Sequence, residues 1–317
     1  MSAVVCKLDL VEDTMGFSLV TYESGHPRTT TASSATAPVE RRREELGKFL
    51  KARRARLSPE DFGMPAGSRR RTPGLRREEV ALLAGVGVTW YTWLEQGRPI
   101  NASMQVLDAV ARTLRLDRAE RGHLYRLAEA APVRAGRSHT SVPDELSAIV
   151  DSLNPMPAVA MNTRFDVLNS NDAHKRLFRD WHLMPCIHMN LLWCAITEPD
   201  SRSKFLNYED EIRYLVARLR SSYGRYIGDP EWEEDITRLS RLSPDFCELW
   251  ARHEVAEPQR RTPVFLHPQV GRLAFTTTEF AAPAMPELRL LVYTPQDEPS
   301  RQAMDQLIRD PACAPSA

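Results

Sequence analysis

The chain has 317 residues, with 42 basic and 42 acidic side chains that cancel to zero net charge, and 42% of its residues are hydrophobic. That length allows about two domains of ordinary size, and the composition is that of a globular protein, not a collagen or a disulfide-stapled scaffold. Five cysteines show no CxxC spacing and no secretory context, which argues against a disulfide frame. No apolar run is long enough for a signal peptide or a membrane span, so the expected location is the cytoplasm and no membrane partner is expected.

Charge is unevenly distributed along the chain. Residues 1–39 are rich in Ser, Thr and Ala around Pro27 and Pro38 and have no sustained periodicity, so a disordered extension is expected. Residues 40–130 hold 19 basic against 12 acidic side chains, and residues 131–317 hold 21 against 26. A positive module joined to an acidic one suits a reader of DNA attached to something that need not touch DNA.

Within the basic module, the stretch RRRTPGLRREEVALLAGVGVTWYTWLEQG spans residues 69–97. Pro73-Gly74 breaks the chain, and Val80, Ala81 and Ala84 then fall on one helical face small enough for a second helix to cross closely. Gly85 and Gly87 allow a tight turn around Val86. On the second helix, Trp90, Tyr91 and Leu94 fall between roughly 200° and 300° from Val88, an apolar arc. Val88, Thr89, Thr92 and Trp93 fall between roughly 0° and 140° and are free to enter a groove.

A helical hairpin in any core shows similar stripes. The flanking cations favour DNA: Arg41, Arg42, Arg43, Lys48, Lys51, Arg53, Arg54 and Arg56 precede the pair, and Arg69, Arg70, Arg71, Arg76 and Arg77 abut it. Two further helices complete the module. Ser103 precedes MQVLDAVARTL, with Val106, Leu107, Val110, Ala111 and Leu114 inward, and Asp117 with Glu120 forms a capping-box pattern ahead of Leu124, Leu127 and Ala128.

With these residues in view, positions 46–128 resemble the XRE-type (Cro/repressor-like) helix-turn-helix domain, in the variant with LGKFLKARRARLSPEDFGMP, GSRRRTPGLRREEVALLAGV and LEQGRP. The resemblance implies a five-helix, lambda-repressor-like bundle that reads bases through Val88, Thr89, Thr92 and Trp93. It also implies a structural ion pair between Arg54 and Glu95, for which a solvated phosphate contact of Arg54 competes, while the flanking charge itself puts the expected phosphate contacts at Arg69, Arg70, Arg71, Arg76 and Arg77. Gly87 stands where Ser is usual, so the second helix lacks a side-chain cap, and Trp93 replaces a polar residue. Leu82 also stands where a polar residue is common, facing a neighbouring element or a partner.

A Pro, Gly and Ser-containing linker at 131–143 precedes a change of grammar. Residues 157–169 read as two short strands about Asn162-Thr163. Helical patterns follow near 205–226, 231–241 and 244–252, and strand-like runs return in RTPVFLH, VGRLAFTTTEF and LRLLVYTP. Residues 144–309 are similar to the MmyB-like ligand-binding domain on FDVLN with Asn171, NLL at 190–192, LVARLR, SPDFCELWARHEV and HPQVG. That implies a PAS-like mixed α/β fold sensing a small apolar or fatty-acid-like ligand.

The expected lining is Val159, Met161, Phe165, Leu168, Met189, Trp193, Leu215, Leu219 and Phe275, although apolar residues on such faces are more often plain core. Residues 310–317 are expected to form a disordered tail.

Catalytic chemistry is not expected. Cys247 and His253 lie about 120° from eclipsed on one helix and out of reach. His182, Cys186, His188 and Cys194 match no standard zinc spacing, and no Walker, Rossmann or nucleophile-elbow motif occurs. The expectation is a homodimeric, ligand-controlled transcription regulator without cofactor or metal. The alternative is a helix-turn-helix protein whose second part only dimerises or binds another protein.

Overall fold

The computed structural model describes residues 36–64, 74–128, 142–183 and 189–310. The expectations for residues 1–35, for most of the linker, for the tail from 311 and for Arg69, Arg70 and Arg71 lie outside the described residues.

Helix α1, Thr36–Ala55, begins inside the stretch expected to lack order. Pro38 is tolerated in its first turn because amides there have no partner within the helix. Its packing partner is far away in sequence: a Cβ on Gly228 would stand 2.8 Å from the Pro38 ring. Helix α2, Arg77–Ala84, ends on Gly85 in the left-handed conformation at φ 67°. Helix α3, Val88–Glu95, starts without a side-chain cap at Gly87.

Helix α4, Met104–Thr113, is capped by Ser103 accepting from the Val106 amide. Helix α5, Arg118–Ala128, opens on reciprocal bonds between Asp117 and Glu120. Leu46, Phe49, Leu50, Val80, Ala81, Tyr91, Leu94, Leu107, Val110 and Leu124 close around a common centre. Gly47 lets α1 and α3 touch backbone to backbone, since a Cβ there would lie 2.3 Å from the Glu95 carbonyl oxygen.

The second part is α+β. Helix α6 (Asp144–Ser152) leads into β1 (Ala158–Asn162) and β2 (Val167–Ser170). The short helices α7 (Asp172–Leu177), α8 (Arg179–Leu183), α9 (Leu191–Thr197) and α10 (Ser201–Lys204) follow. Next come α11 (Tyr208–Tyr223), α12 (Pro230–Leu242) and α13 (Pro244–Ala251). Strands β3 (Val264–His267), β4 (Gly271–Ala282) and β5 (Met285–Pro295) and helix α14 (Glu298–Arg309) complete it.

The five strands make one antiparallel sheet in the order β2-β1-β5-β4-β3. This is the mixed, PAS-like architecture that the resemblance implies. On one face Ala158, Ala160 and Val292 pack with Val150 of α6, while Val159 and Met161, one step out of phase, face the main core.

The Asn residues of the two motifs are structural anchors. Asn171 caps α7, accepts from the Ala158 amide and donates to the carbonyls of Val150 and Met156. Asn190 caps α9 through the Trp193 amide and donates to the Arg164 carbonyl and Asp166.

The helical part and the sheet part share a single apolar cluster, running from Phe49 and Leu50 to Tyr223, Ile227 and Phe246. Charged groups are sealed into the seam. Arg53, 1% exposed, donates to Glu120 at 2.6 Å and to the carbonyls of Arg252 and His253 just past α13. Arg220 of α11 donates to Glu45 of α1 at 3.0 Å and to the Trp250 carbonyl, with its guanidinium 3.8 Å from the Trp250 ring. Its burial drops the Arg220 pKa to about 10.

Candidate DNA interface and ligand cavity

Three of the four residues expected to read bases are exposed on α3: Val88 at 42%, Trp93 at 40% and Thr89. Thr92 is half-buried. The opposite side of the helix carries the fully buried Tyr91 and Leu94, and Trp90 packs at the edge of that core. The Arg98 guanidinium lies 5.9 Å from the Trp93 ring. The periodicity argument did not single out Arg98, because it falls beyond the helix; its place in LEQGRP was the available signal. Leu82 is 77% exposed, at the end of α2.

Beneath this face is a charged knot. Glu95, its side chain fully buried, accepts from Arg54 Nε at 2.6 Å and Nη2 at 3.2 Å, and from Arg77 Nε at 2.6 Å. Burial acts to lower the Arg54 pKa, but the hydrogen bond and charge of Glu95 outweigh it and the net shift is upward. Burial, reinforced by the Glu95 charge, keeps the Tyr91 phenol protonated.

The expected basic rim therefore needs correction. Arg42, Arg53 and Arg54 are 5%, 1% and 5% exposed and turn inward, so the solvated phosphate contact weighed for Arg54 has no counterpart here. Arg77, expected at phosphates, has its Nε committed to Glu95, and its side chain is 39% exposed. Arg76 is exposed ahead of α2, Arg41, Lys48 and Lys51 are exposed along α1, and Arg56, half-exposed just past the end of α1, donates to Glu120 at 2.7 Å. Charge count alone cannot separate these groups; tertiary contacts with Glu95, Glu120 and α13 do.

A small recess, with room for only about 30 Å³, lies between α11, α9 and the sheet. Of the nine expected lining residues, Met161, Phe165 and Leu215 face it. Val159, Leu168, Met189, Trp193, Leu219 and Phe275 do not, and the reasons are geometric. Val159 and Phe275 lie on strands that line the recess, but two residues from Met161 and four from Glu279, at roughly 3.3 Å per residue. Leu219 lies one turn beyond Leu215 on α11 and is buried in the core. Leu168 is one step out of phase with Val167, and Trp193 instead meets the Arg238 guanidinium at 5.0 Å. Met189 packs against the core from outside the recess.

The rings of Trp181, Phe205, Phe265 and Tyr293 and the polar groups of Glu211, Arg261 and Glu279 were missed. They come from elements whose proximity no local pattern encodes.

Phe165 holds a left-handed backbone, φ 72°, a conformation that costs a non-glycine residue of order 1–3 kcal/mol. Its amide donates to the Asn162 carbonyl and its carbonyl accepts from Leu191. The tight turn after β1 is thereby tied to α9, with the ring against the recess.

Cys247 is exposed, and His253 lies beyond the end of α13. Among the described residues there is no group of three or more His, Cys, Asp or Glu side chains that could hold a metal ion; Cys186 and His188 lie outside them. No helix among the described residues is long and apolar enough to cross a membrane.

A family model described as the MmyB-like transcription regulator ligand binding domain matches residues 142–307, just over half of the chain. A helix-turn-helix domain model matches residues 45–124. No curated protein matches the chain. Both families are regulatory, not enzymatic.

Proposed function

Since the chain belongs to the MmyB-like transcription regulator ligand-binding family and carries a helix-turn-helix domain ahead of that match, we propose that it is a sequence-specific regulator whose operator affinity is set by a small apolar ligand. Residues 40–130, extended back to Thr36 by α1, act as the reader, residues 131–143 as the connection and residues 144–309 as the sensor. Val88, Thr89 and Trp93 meet base edges, with Thr92 beside them. Arg69, Arg70, Arg71 and Arg76 hold phosphates, and Arg54 with Glu95 fixes the angle of α3. The indole of Trp93 suits a thymine methyl or a sugar, not the bidentate guanine contact of an arginine.

The observation that carries this reading is the outward α3 face of Val88, Thr89 and Trp93 above a buried Tyr91 and Leu94. Val88 and Trp93, exposed on the same side of α3, leave that side of the helix free to meet a partner. Two copies presenting α3 about 34 Å apart would read a two-fold operator, and the protein is accordingly proposed to act as a homodimer.

Helix α11 supplies the route from ligand to DNA. Glu211, Tyr214 and Leu215 border the recess, and Arg220 further along the same helix grips Glu45 of α1. Helix α1 in turn carries α3 through Gly47 and Arg54. A shift of α11 along its axis therefore moves the reader without an intermediate loop.

The experiment is a gel shift on the DNA upstream of the protein's own coding sequence, run across a salt series. A complex whose log affinity falls linearly with log salt is expected. If no complex forms even at low salt, the DNA-binding reading is wrong.

A further inference from the structure

Strands β4 and β5 carry their charges on the covered side of the sheet. Side chains alternate along a strand and share a face with their register partners. Thr278 therefore stands beside Val292 and Ala158, and Phe280 beside Leu290 and Ala160, all on the face where Val150 of α6 packs. The opposite face holds Glu279, Glu287 and Arg289. There Glu279 pairs with Arg218 of α11 at 2.9 Å and with Arg289 at 3.3 Å, and Glu287 accepts from Thr163 at 3.1 Å. An antiparallel sheet with one wet side ordinarily turns its charged residues toward the water. Here that order is reversed.

Helix α6 covers β1 and β2 on the uncharged face and reaches Val292 and Leu290. Beyond it the face is open. Phe280 is 53% exposed, and Leu266 of β3, which the register puts on the same side, is 48% exposed. Thr278 and Thr294 are exposed and Leu290 is half-buried. Among the described residues on this face of β3, β4 and β5, the one charged side chain is Arg272 at the far end, and it is paired with Asp297 at 3.1 Å.

An open apolar face marks a contact surface, and the missing charge says which partner suits it. A two-fold contact sets a surface against its own image, so a charge near the axis meets its like. This face has none there to repel. Threonine hydroxyls both donate and accept hydrogen bonds, so Thr278 and Thr294 can bond to the same residues of an identical chain. A nucleic acid or a strongly charged protein would find no counter-charge on it.

We infer that a second copy of this chain docks on the open face, with Phe280 and Leu290 of each copy packed against the other. The inference rests on the proposed homodimer and assigns its contact surface. That surface lies on the side of the sheet opposite the recess, whose lining includes Met161, Glu279, Leu291 and Tyr293, so dimer and sensor site do not compete for space.

The test is sedimentation equilibrium of the full chain in a dilution series from about 50 µM, well above the micromolar dissociation constant of even a weak specific interface. The native chain should be a dimer. Phe280→Arg should raise the dissociation constant at least roughly 30-fold, as loss of a central interface side chain does, with the far-UV circular dichroism spectrum unchanged. Thr278→Arg should act in the same direction, and it serves if the first variant does not fold. Leu242→Arg alters a comparably exposed apolar side chain, 59% exposed at the end of α12, and should leave the dimer intact.

A dimer that survives both Phe280→Arg and Thr278→Arg overturns the inference and leaves the homodimer standing. Equal loss in Leu242→Arg also overturns it. A native chain that stays monomeric at about 50 µM removes the inference and the homodimer together, and the gel shift still judges DNA binding by itself.

Discussion

Replacing Glu95 with glutamine tests whether the recognition helix is held by charge. The wild-type carboxylate takes three donors from Arg54 and Arg77 with no exposure of its own. In the variant its charge is lost and an amide donor faces guanidinium donors. Arg77, 39% exposed, can turn to water, whereas Arg54, with 6% of its side chain exposed, cannot. The cost is therefore set by Arg54, and stranding one partner of a buried pair costs about 3–5 kcal/mol.

With roughly 1.5–2 °C of Tm per kcal/mol in a chain of this size, the melting temperature should fall by roughly 5–10 °C, read by circular dichroism. Specific DNA binding should fall with it, because α3 loses its tie to α1. Pairing the change with Arg54→Met removes the stranded cation, so the double variant should be more stable than Glu95→Gln alone. A Tm drop under about 2 °C, or a double variant destabilised by the sum of the singles, would refute the argument.

Changing Arg69, Arg70 and Arg71 together to alanine should weaken binding to all DNA alike and reduce the log–log salt slope by up to roughly 3. Thr89→Ala should instead change preference at one base pair, by about 1–3 kcal/mol in competition assays; equal loss on every sequence would remove Thr89 from base reading. Arg220→Met should leave DNA binding in place but abolish its response to ligand, normally a 5- to 150-fold effect in such switches.

Acid should loosen the seam. Burial, with the Arg220 charge beside it, holds the His253 pKa down at about 4. The histidine is thus neutral when folded at pH values where it would be charged unfolded, and its stabilisation is full above about 6.5 and drains as pH falls toward 4. Lys48 and Arg53 of α1 oppose its protonation and Glu45 favours it. The loss is at most roughly 3 kcal/mol, and the acid-side fall in Tm should be smaller in His253→Gln.

The reader was legible because its signals are local. Ser103, the Asp117–Glu120 box, Gly85 and the apolar arc on α3 each act within one or two turns. All five strands, β1 to β5, were legible from alternation and β-branched residues. The seam was not, because Arg53 and Arg220 look like surface cations until Glu120, Glu45 and the carbonyls after α13 are brought to them across long stretches of chain.

The ligand recess suffered from the same blindness. Tyr293, Glu279 and Phe205 stand on separate elements, and helices α7 to α10, of four to seven residues, are too short to show a period. Asn171 and Asn190 drew attention as motif residues, and their work is capping and strand anchoring.

The common core has a practical bearing on how such regulators can be recombined. Phe49 packs edge-on against His123 at 5.1 Å, and a Cβ at Gly224 would stand only 3.0 Å from that imidazole. A chimera joined at the connecting segment would therefore confront foreign surfaces at Glu45, Arg53, Pro38 and His123. Exchange of sensing specificity should succeed by repainting the walls around Arg261 inside the native scaffold, and grafts of a whole sensor should need α1 and α5 rebuilt to suit the newcomer.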